Sequence, residues 1–166
     1  MNMGLFDSLF GKKEPKTYQD SDIVAVVSGP VVRNADIPDP VFAQEMLGKT
    51  FAVKPAGDKA VAPANGTLEV MFPTGHAFAV RMADGTGLLV HVGIDTVNLK
   101  GKGFKVMASQ GDAVKAGQTI VKIDPELIRE LGYNPITMLI ISENPSEKEF
   151  TFTDEDYVYA GNIVCR

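Results

Sequence analysis

The chain contains two histidines, and each lies in a short apolar run where few other side chains could do chemistry. His91 stands in GLLVHVGIDT (87–96), and His76 stands in FPTGHAFAV (72–80). A neutral imidazole can accept a phosphoryl group, and an ordinary histidine pKa of about 6.5 keeps it largely neutral near pH 7. A second imidazole that donates an N–H would stabilise the charge of the resulting phosphohistidine. The pair therefore indicates phosphoryl transfer, while zinc binding would need ligands that the chain does not obviously supply.

The alternation around His91 predicts a strand with two different faces. The predicted core face contains Leu88, Val90, Val92 and Ile94, and the opposite face contains Leu89, His91, Gly93 and Asp95. A glycine in a strand leaves open space beside its neighbour and often marks the close approach of a ligand or of another backbone. The pattern thus predicts an accessible imidazole on a rigid apolar strand. Asp95 could hold that imidazole or repel an acidic partner.

The position of His76 supports two interpretations. By parity it shares a face with predicted core residues, namely Phe78, Val80 and Met82. It could therefore be a hydrogen-bonded histidine at the end of a core strand, or it could be the second group of the site.

Composition and motifs exclude several classes of function. The formal net charge of −5 argues against nucleic acid as the main partner. The chain has no G-x-S-x-G, P-loop, G-x-G-x-x-G, C-x-x-C or H-E-x-x-H motif. No apolar run approaches the roughly 20 residues that span a bilayer, and the start of the chain lacks the layout of a secretory signal. The single cysteine, Cys165, fits a reducing compartment, so we expect a cytoplasmic protein.

From residue 21 onward the sequence predicts a single all-β domain (21–166), an antiparallel β-sandwich or barrel-sandwich hybrid with short helical turns. Turn signals recur about every ten residues, as in sandwiches and barrels. Strands are predicted at 23–29, 30–33, 50–55, 60–64, 66–72, 76–82, 87–93, 113–124, 136–142 and 156–164. Short helices, each begun by an aspartate and a proline, are predicted at 39–48 and 124–133. The lysine-rich LKGKGFK (99–105) is interpreted as a solvated loop.

Residues 1–20 are predicted to form a separate flexible or amphipathic segment. Its apolar residues recur at helical spacing and are followed by two lysines: Leu5, Phe6, Leu9, Phe10, Lys12 and Lys13. Such a segment could associate peripherally with an anionic membrane through residues 1–13. A disordered tail is the alternative.

Two internal segments, 61–70 and 111–123, resemble each other and also the hammerhead strands of biotinyl and lipoyl carrier domains. Lys59 lies in Asp-Lys-Ala, as a lipoyl-bearing lysine does, so a swinging-arm carrier is one hypothesis. The order of the elements is wrong for it, because the G-D-x-V-x-x-G-Q element follows Lys59 far downstream. We interpret the similarity as one of architecture.

The longer pattern GLLVHVGIDTVNLKGKGF (87–104) resembles the phosphorylation-site signature of the glucose-type enzyme IIA family of the bacterial sugar phosphotransferase system. The similarity extends over most of the chain, through segments 36–48, 60–68, 72–78 and 111–124. It implies a stand-alone phosphoryl carrier in which His91 accepts phosphate from the carrier protein HPr and passes it to a cysteine of the IIB domain of a sugar permease. It also implies that His76 assists transfer and that Thr74 orients His76.

The resemblance further implies a shallow apolar docking surface above the imidazoles. We call its apolar residues the rim: Val41, Phe42, Met46, Leu47, Phe72, Leu89 and Val97. Two carboxylates, Asp39 and Asp95, are expected beside it. No tightly bound cofactor is expected, although His76 and His91 could share a zinc ion with a partner. In this family the unphosphorylated form also regulates permeases and glycerol kinase, so a regulatory binding module is the alternative function.

Overall fold

Short antiparallel strands joined by glycine turns make up most of the regular structure. The structure is a computed structural model and describes residues 17–165. Within this range the strands are β1 (Ile23–Val24), β2 (Gly29–Val32), β3 (Lys49–Val53), β4 (Lys59–Val61), β5 (Gly66–Met71), β6 (Ala77–Arg81), β7 (Gly87–Val92), β8 (Phe104–Val106), β9 (Ala113–Val114), β10 (Thr119–Ile123), β11 (Thr137–Glu143), β12 (Tyr157–Val158) and β13 (Ile163–Cys165). The helices are α1 (Pro40–Ala43) and α2 (Pro125–Glu130), with 3₁₀ turns at Asn34–Asp36 and Thr96–Leu99. The predicted all-β class is confirmed.

One large antiparallel sheet carries the strand with His91. Its order is β12-β2-β3-β11-β7-β6-β5-β9, and β7 lies near the middle between β11 and β6. Smaller sheets contain β4-β10-β8 and β1-β13. The main core is enclosed by these sheets and includes Leu88, Val90 and Val92 from β7. This confirms the core face predicted for those three residues.

The centre of the large sheet is apolar on both faces. A second apolar cluster lies on the opposite face from the main core and contains Ile37, Phe42, Ala52, Ile136, Met138 and Ile140. Successive residues of β11 belong to different clusters: Leu139 is part of the main core, and Met138 is part of the second cluster. Met138 lies directly opposite His91 in the β7–β11 register, so His91 stands on the face of the second cluster.

The two mutually similar segments pair with one another. β4 pairs with β10, and β5 pairs with β9, so each segment contributes one strand to each pair. Asn65 joins the turns, because its side-chain oxygen accepts the amide of Ala116 at 2.9 Å. Lys59 begins β4 and lies opposite Lys122 in this pairing. The two similar segments therefore supply strands that pair with each other. The likeness to carrier domains stays an interpretation of the sequence.

Several predicted elements are shorter than expected. The run 113–124 is two strands, because residues 115–118 form a turn in which the amide of Gln118 donates to the carbonyl of Lys115. The runs 23–29 and 156–164 likewise contain only short strands. The predicted loop at 99–105 was partly wrong, since Phe104 begins β8 and pairs with Ile123.

Among residues 17–165 no helix is long and apolar enough to cross a membrane. Residues 1–16, which hold the predicted amphipathic segment, lie outside the described range.

Candidate functional site: two imidazoles on an apolar sheet

His91 is fixed on β7 by contacts with both its ring and its neighbours. The side chain is partly buried, and its ring centroid lies 5.1 Å from that of Phe42. The ring Nδ1 lies 2.8 Å from the carbonyl oxygen of Gly93. A carbonyl can only accept, so Nδ1 carries the hydrogen and the neutral ring keeps its lone pair on Nε2. The backbone thus selects the nitrogen that is available as a nucleophile.

Gly93 is required by the backbone at this point. Its φ is +86°, a conformation that L side chains rarely adopt, and a Cβ there would lie 2.3 Å from Cγ2 of Thr96. The carbonyl oxygen of Asn134 would lie 3.0 Å from that Cβ, so the close approach of another backbone that a strand glycine marks is confirmed at Gly93. Because of this positive φ the chain leaves strand geometry after Val92, and the alternation of side chains between the two faces of β7 ends there. Ile94 packs with the second cluster, on the side of His91, and not with the main core as predicted.

His76 immediately precedes β6, and only 5% of it is exposed. Its ring centroid lies 5.4 Å from that of His91 in an edge-on arrangement with an interplanar angle of 81°. Its Nδ1 lies 2.6 Å from Oγ1 of Thr74, and its ring centroid lies 5.2 Å from that of Phe72. Both interpretations fit these contacts, because His76 is buried and hydrogen-bonded and its ring also faces His91. A role of His76 in transfer stays a prediction.

Burial lowers the pKa of both histidines. For His91, removal from water is the largest effect, and it outweighs the hydrogen bond to Gly93 and the charges of Asp39 and Asp95, which raise its pKa. For His76, burial again lowers the pKa most, and the neighbouring His91 lowers it further. Two imidazoles this close cannot both be charged without repulsion. The site therefore favours two neutral rings near pH 7.

The predicted rim residues differ widely in exposure. Met46, Val97, Leu47 and Phe72 are exposed by 66%, 50%, 45% and 41%, whereas Phe42 is 6% exposed and belongs to the second cluster. Val41 and Leu89 are intermediate. Phe42 thus packs against the ring of His91 within the second cluster. A single docking surface formed by the four exposed residues stays a prediction.

The two predicted carboxylates are placed differently. Asp39 is the N-cap of α1, and its side chain accepts the amide of Val41 at 2.9 Å. Asp95 is exposed and adopts the left-handed conformation with a φ of +58°. Both charges act on His91, since both raise its pKa. Each therefore favours the cationic form of the His91 imidazole, although burial outweighs both.

The described residues offer few further metal ligands. Within residues 17–165 no group of three or more histidine, cysteine or carboxylate side chains converges. A zinc ion on His76 and His91 would need ligands from another protein. Such a zinc site stays a prediction.

Sequence reasoning missed two supports of the site. Met138, fully buried and directly opposite His91 on the neighbouring strand, comes from a part of the chain far away in the sequence. The carbonyl of Gly93 acts through its backbone, which no side-chain pattern reveals. The glycine itself is the available signal, because a glycine in a strand often marks the close approach of another backbone.

Comparison with known proteins agrees with this geometry. The sequence profile of the family described as the phosphoenolpyruvate-dependent sugar phosphotransferase system, EIIA 1, matches residues 21–146. The chain belongs to this EIIA family. The resemblance inferred from the sequence is thereby confirmed.

Two relatives and one solved structure extend the match. A protein of Haemophilus influenzae named PTS system glucose-specific EIIA component is 44% identical over 162 residues, which cover 98% of this chain and 96% of the relative. A Staphylococcus aureus (strain Mu50) protein of the same name is 38% identical over 157 residues, covering 95% and 94%. The solved structure of glucose permease IIA from Mycoplasma capricolum superimposes with a TM-score of 0.79 at 30% identity, covering 87% of this chain and 93% of that one.

Proposed function

We propose that this EIIA protein is a phosphoryl carrier that accepts a phosphoryl group on Nε2 of His91 and passes it to an acceptor protein. One observation carries the proposal: the two rings are 5.4 Å apart and the Nδ1 of each is engaged by its own chain, at Gly93 and at Thr74. That arrangement directs the chemistry to the two Nε2 atoms.

The acceptance step follows from the tautomer of His91. The lone pair on Nε2 attacks the phosphorus of a donor phosphohistidine whose other ring nitrogen is protonated. A new P–N bond forms, the donor's P–N bond breaks, and the donor ring takes back the electron pair and leaves as a neutral imidazole, while the ring of His91 takes up the positive charge. His91 keeps the hydrogen on Nδ1, where Gly93 accepts it. The lowered pKa keeps His91 neutral, and hence nucleophilic, at the pH of the cell.

His76 serves as the donor of an N–H to the transferred group. For a neutral His76 to carry its hydrogen on Nε2, Nδ1 must accept, so the hydroxyl of Thr74 must donate to it across the 2.6 Å contact. An N–H fixed beside the reacting phosphoryl oxygens stabilises their charge. Thr74 is in this sense a positioning residue.

The partners follow from the family and from the exposed surface. HPr is the proposed donor, and the cysteine thiolate of a IIB domain is the proposed acceptor; the relatives' names point to a glucose-type permease. Both would dock on the exposed rim, with Asp39 and Asp95 beside it. The same surface would allow the unphosphorylated form to bind regulated permeases or glycerol kinase, with zinc shared at such an interface.

The proposed location is the cytoplasm, with peripheral attachment to the inner face of the membrane through residues 1–13.

The test is phosphorylation by the purified system. The wild-type chain, His91→Ala and His76→Ala are each incubated with phosphoenolpyruvate, enzyme I and HPr, and the acid-labile phosphate is mapped by mass spectrometry. We expect phosphate on His91 in the wild type and in His76→Ala, and none in His91→Ala. Phosphate that persists in a folded His91→Ala protein would overturn the assignment.

A further inference from the structure

The turn after β7 has a backbone conformation that depends on support from outside the turn. Gly93 has a φ of +86° and Asp95 a φ of +58°, so two of three successive residues have positive φ. The left-handed region costs free energy for a residue such as aspartate, which stays there only where surrounding contacts fix the backbone. The carbonyl of Gly93 accepts the Nδ1 hydrogen of His91, so the contacts that fix this turn also orient the imidazole.

The loop before β11 holds the two peptide groups on either side of Gly93. The amide of Gly93 donates to the carbonyl of Ile136 at 2.7 Å, and the amide of Ile94 donates to the carbonyl of Asn134 at 2.9 Å. The loop is itself closed by the side-chain oxygen of Asn134, which accepts the amide of Ile136 at 3.0 Å. Because a peptide group is planar, the bond from Ile94 also restricts the direction of the Gly93 carbonyl.

Thr96 holds the peptide group between Val92 and Gly93 from its other end. The side chain of Thr96 is fully buried, and its hydroxyl donates to the carbonyl of Val92. Its methyl group fills the place beside Gly93, since a Cβ on Gly93 would lie 2.3 Å from Cγ2 of Thr96. The φ of Gly93 is the rotation between this peptide group and the one whose carbonyl accepts from His91. The hydroxyl of Thr96 therefore helps to set that rotation.

We propose that Thr96 is a positioning residue for phosphoryl transfer, because its hydroxyl keeps the Gly93 carbonyl aligned with Nδ1 of His91. The neutral ring then holds its hydrogen on Nδ1 and presents the lone pair of Nε2. Thr96 acts through the backbone of residues 92–93 and not through contact with the phosphoryl group. The inference rests on the proposed phosphoryl-carrier function, but the tautomer ratio of His91 is measured without any phosphoryl transfer.

Nitrogen NMR of the His91 ring in the unphosphorylated full chain tests the proposal. Thr96→Ser and Thr96→Ala both remove the methyl group, and only Thr96→Ala also removes the hydroxyl. At alkaline pH, where the ring is neutral, the two nitrogen shifts give the fractions of the two tautomers. We expect Thr96→Ser to keep the wild-type ratio and Thr96→Ala to raise the Nε2–H fraction about fivefold, as expected for one lost hydrogen bond. Thr96→Val, which loses the hydroxyl but keeps the volume, should change the ratio in the same direction.

Thr50→Ala is the matched control for the loss of a buried threonine. Thr50 is 5% exposed, and its hydroxyl donates to the carbonyl of Gly48 at 2.9 Å, outside the turn after β7. We expect it to lower the melting temperature as Thr96→Ala does and to leave the tautomer ratio of His91 at the wild-type value. In the Thr96 variants, the initial rate of phosphorylation by phospho-HPr should fall in proportion to the Nδ1–H fraction.

Two results would overturn the proposal. A wild-type tautomer ratio in folded Thr96→Ala and Thr96→Val proteins would make Thr96 a structural residue only. An equal change of the ratio in Thr96→Ser and Thr96→Ala would assign the effect to the lost methyl group. Failure of the wild-type chain to accept phosphate on His91, with the tautomer ratios as expected, would instead count against the proposed function alone.

Discussion

The amide of Val92 donates to the carbonyl of His76 at 2.7 Å, and this bond joins the residue after one imidazole to the residue that carries the other. One residue further along, Ala77 lies directly opposite His91 in the β6–β7 register. The separation of the two rings is therefore set by strand pairing. It does not depend on a mobile loop.

Replacing His76 should separate acceptance from onward transfer. We expect His76→Gln to be phosphorylated on His91, while transfer to a IIB domain slows by about 10²–10³-fold, the usual loss for one preorganised donor. Thr74→Val should slow the same step by roughly fivefold, since it removes one hydrogen bond worth about 1 kcal/mol. Rapid-quench measurement of both transfer directions checks this. Unchanged onward transfer in His76→Gln would leave His76 a structural residue.

Replacing Gly93 should cost stability through both strain and overlap. We expect Gly93→Ala to lower the free energy of unfolding by about 1–3 kcal/mol from the positive φ alone, with a further cost from the contact with Thr96. Gly132→Ala is the matched control, because Gly132 has a similar φ of +92° but no atom within 4 Å of the place that a Cβ would take. Urea unfolding of both variants compares them. Equal losses would show that Thr96 moves aside freely.

A charge on the exposed rim should weaken partner binding without unfolding the domain. Leu47 is 45% exposed, so Leu47→Glu should leave the melting temperature nearly unchanged and weaken HPr binding, because an apolar contact then holds an unpaired charge. Leu131→Glu is the control, a leucine of similar exposure (40%) outside the rim. Calorimetric titration with equal affinities for the two variants would place the contact elsewhere.

Phe42 needs a separate expectation because it is buried. Phe42→Ala removes a ring that packs in the second cluster and against His91, and we expect it to lower the free energy of unfolding by about 3–5 kcal/mol. Loss of HPr binding in that variant would therefore follow from altered structure. Thermal unfolding distinguishes it from Leu47→Glu; a fully stable Phe42→Ala protein would contradict the packing described.

Removing the negative charge of Asp95 should lower the pKa of His91. Asp95 raises that pKa, so Asp95→Asn should lower it further below 6.5 and extend phosphoryl acceptance to lower pH. The pKa of His76 should stay unchanged, since Asp95 is not among the causes of its shift. Titration of the two ring Cε1–H signals measures both values. A rise in the pKa of His91 would refute the assigned sign.

The same lowered pKa values predict how stability depends on pH. Both histidines bind protons less readily in the folded state than in the unfolded state, where the pKa is about 6.5. The unfolded state therefore gains protons first as the pH falls, and the free energy of unfolding should decrease from about pH 6.5 down to the folded pKa values. His91→Gln should flatten part of this slope in urea unfolding at successive pH values.

The sequence predicted the strand of His91 well, because alternation over six residues records which face is buried. It could not predict the direction of the ring of His76. Gly75 has a φ of +79°, so the backbone leaves strand geometry just before that residue and parity stops describing its side chain. β8 was missed because its lysine and the glycines before it are typical of an exposed loop. Its partner, Ile123, is distant in sequence, so no local pattern indicates the pairing. Phe42 was expected on the surface because nothing local shows that β11 provides a cluster for it to enter.

The apolar packing on both faces of β7 has a kinetic consequence. A strand that is buried on one face, partly covered on the other and paired on both edges opens to solvent only in large-scale unfolding, so its amides should be among the slowest of the chain to exchange with deuterium. Every partner then meets the imidazoles already in place and spends little free energy on ordering them. Binding should accordingly follow a single phase whose rate rises in proportion to partner concentration, with no slow conformational step.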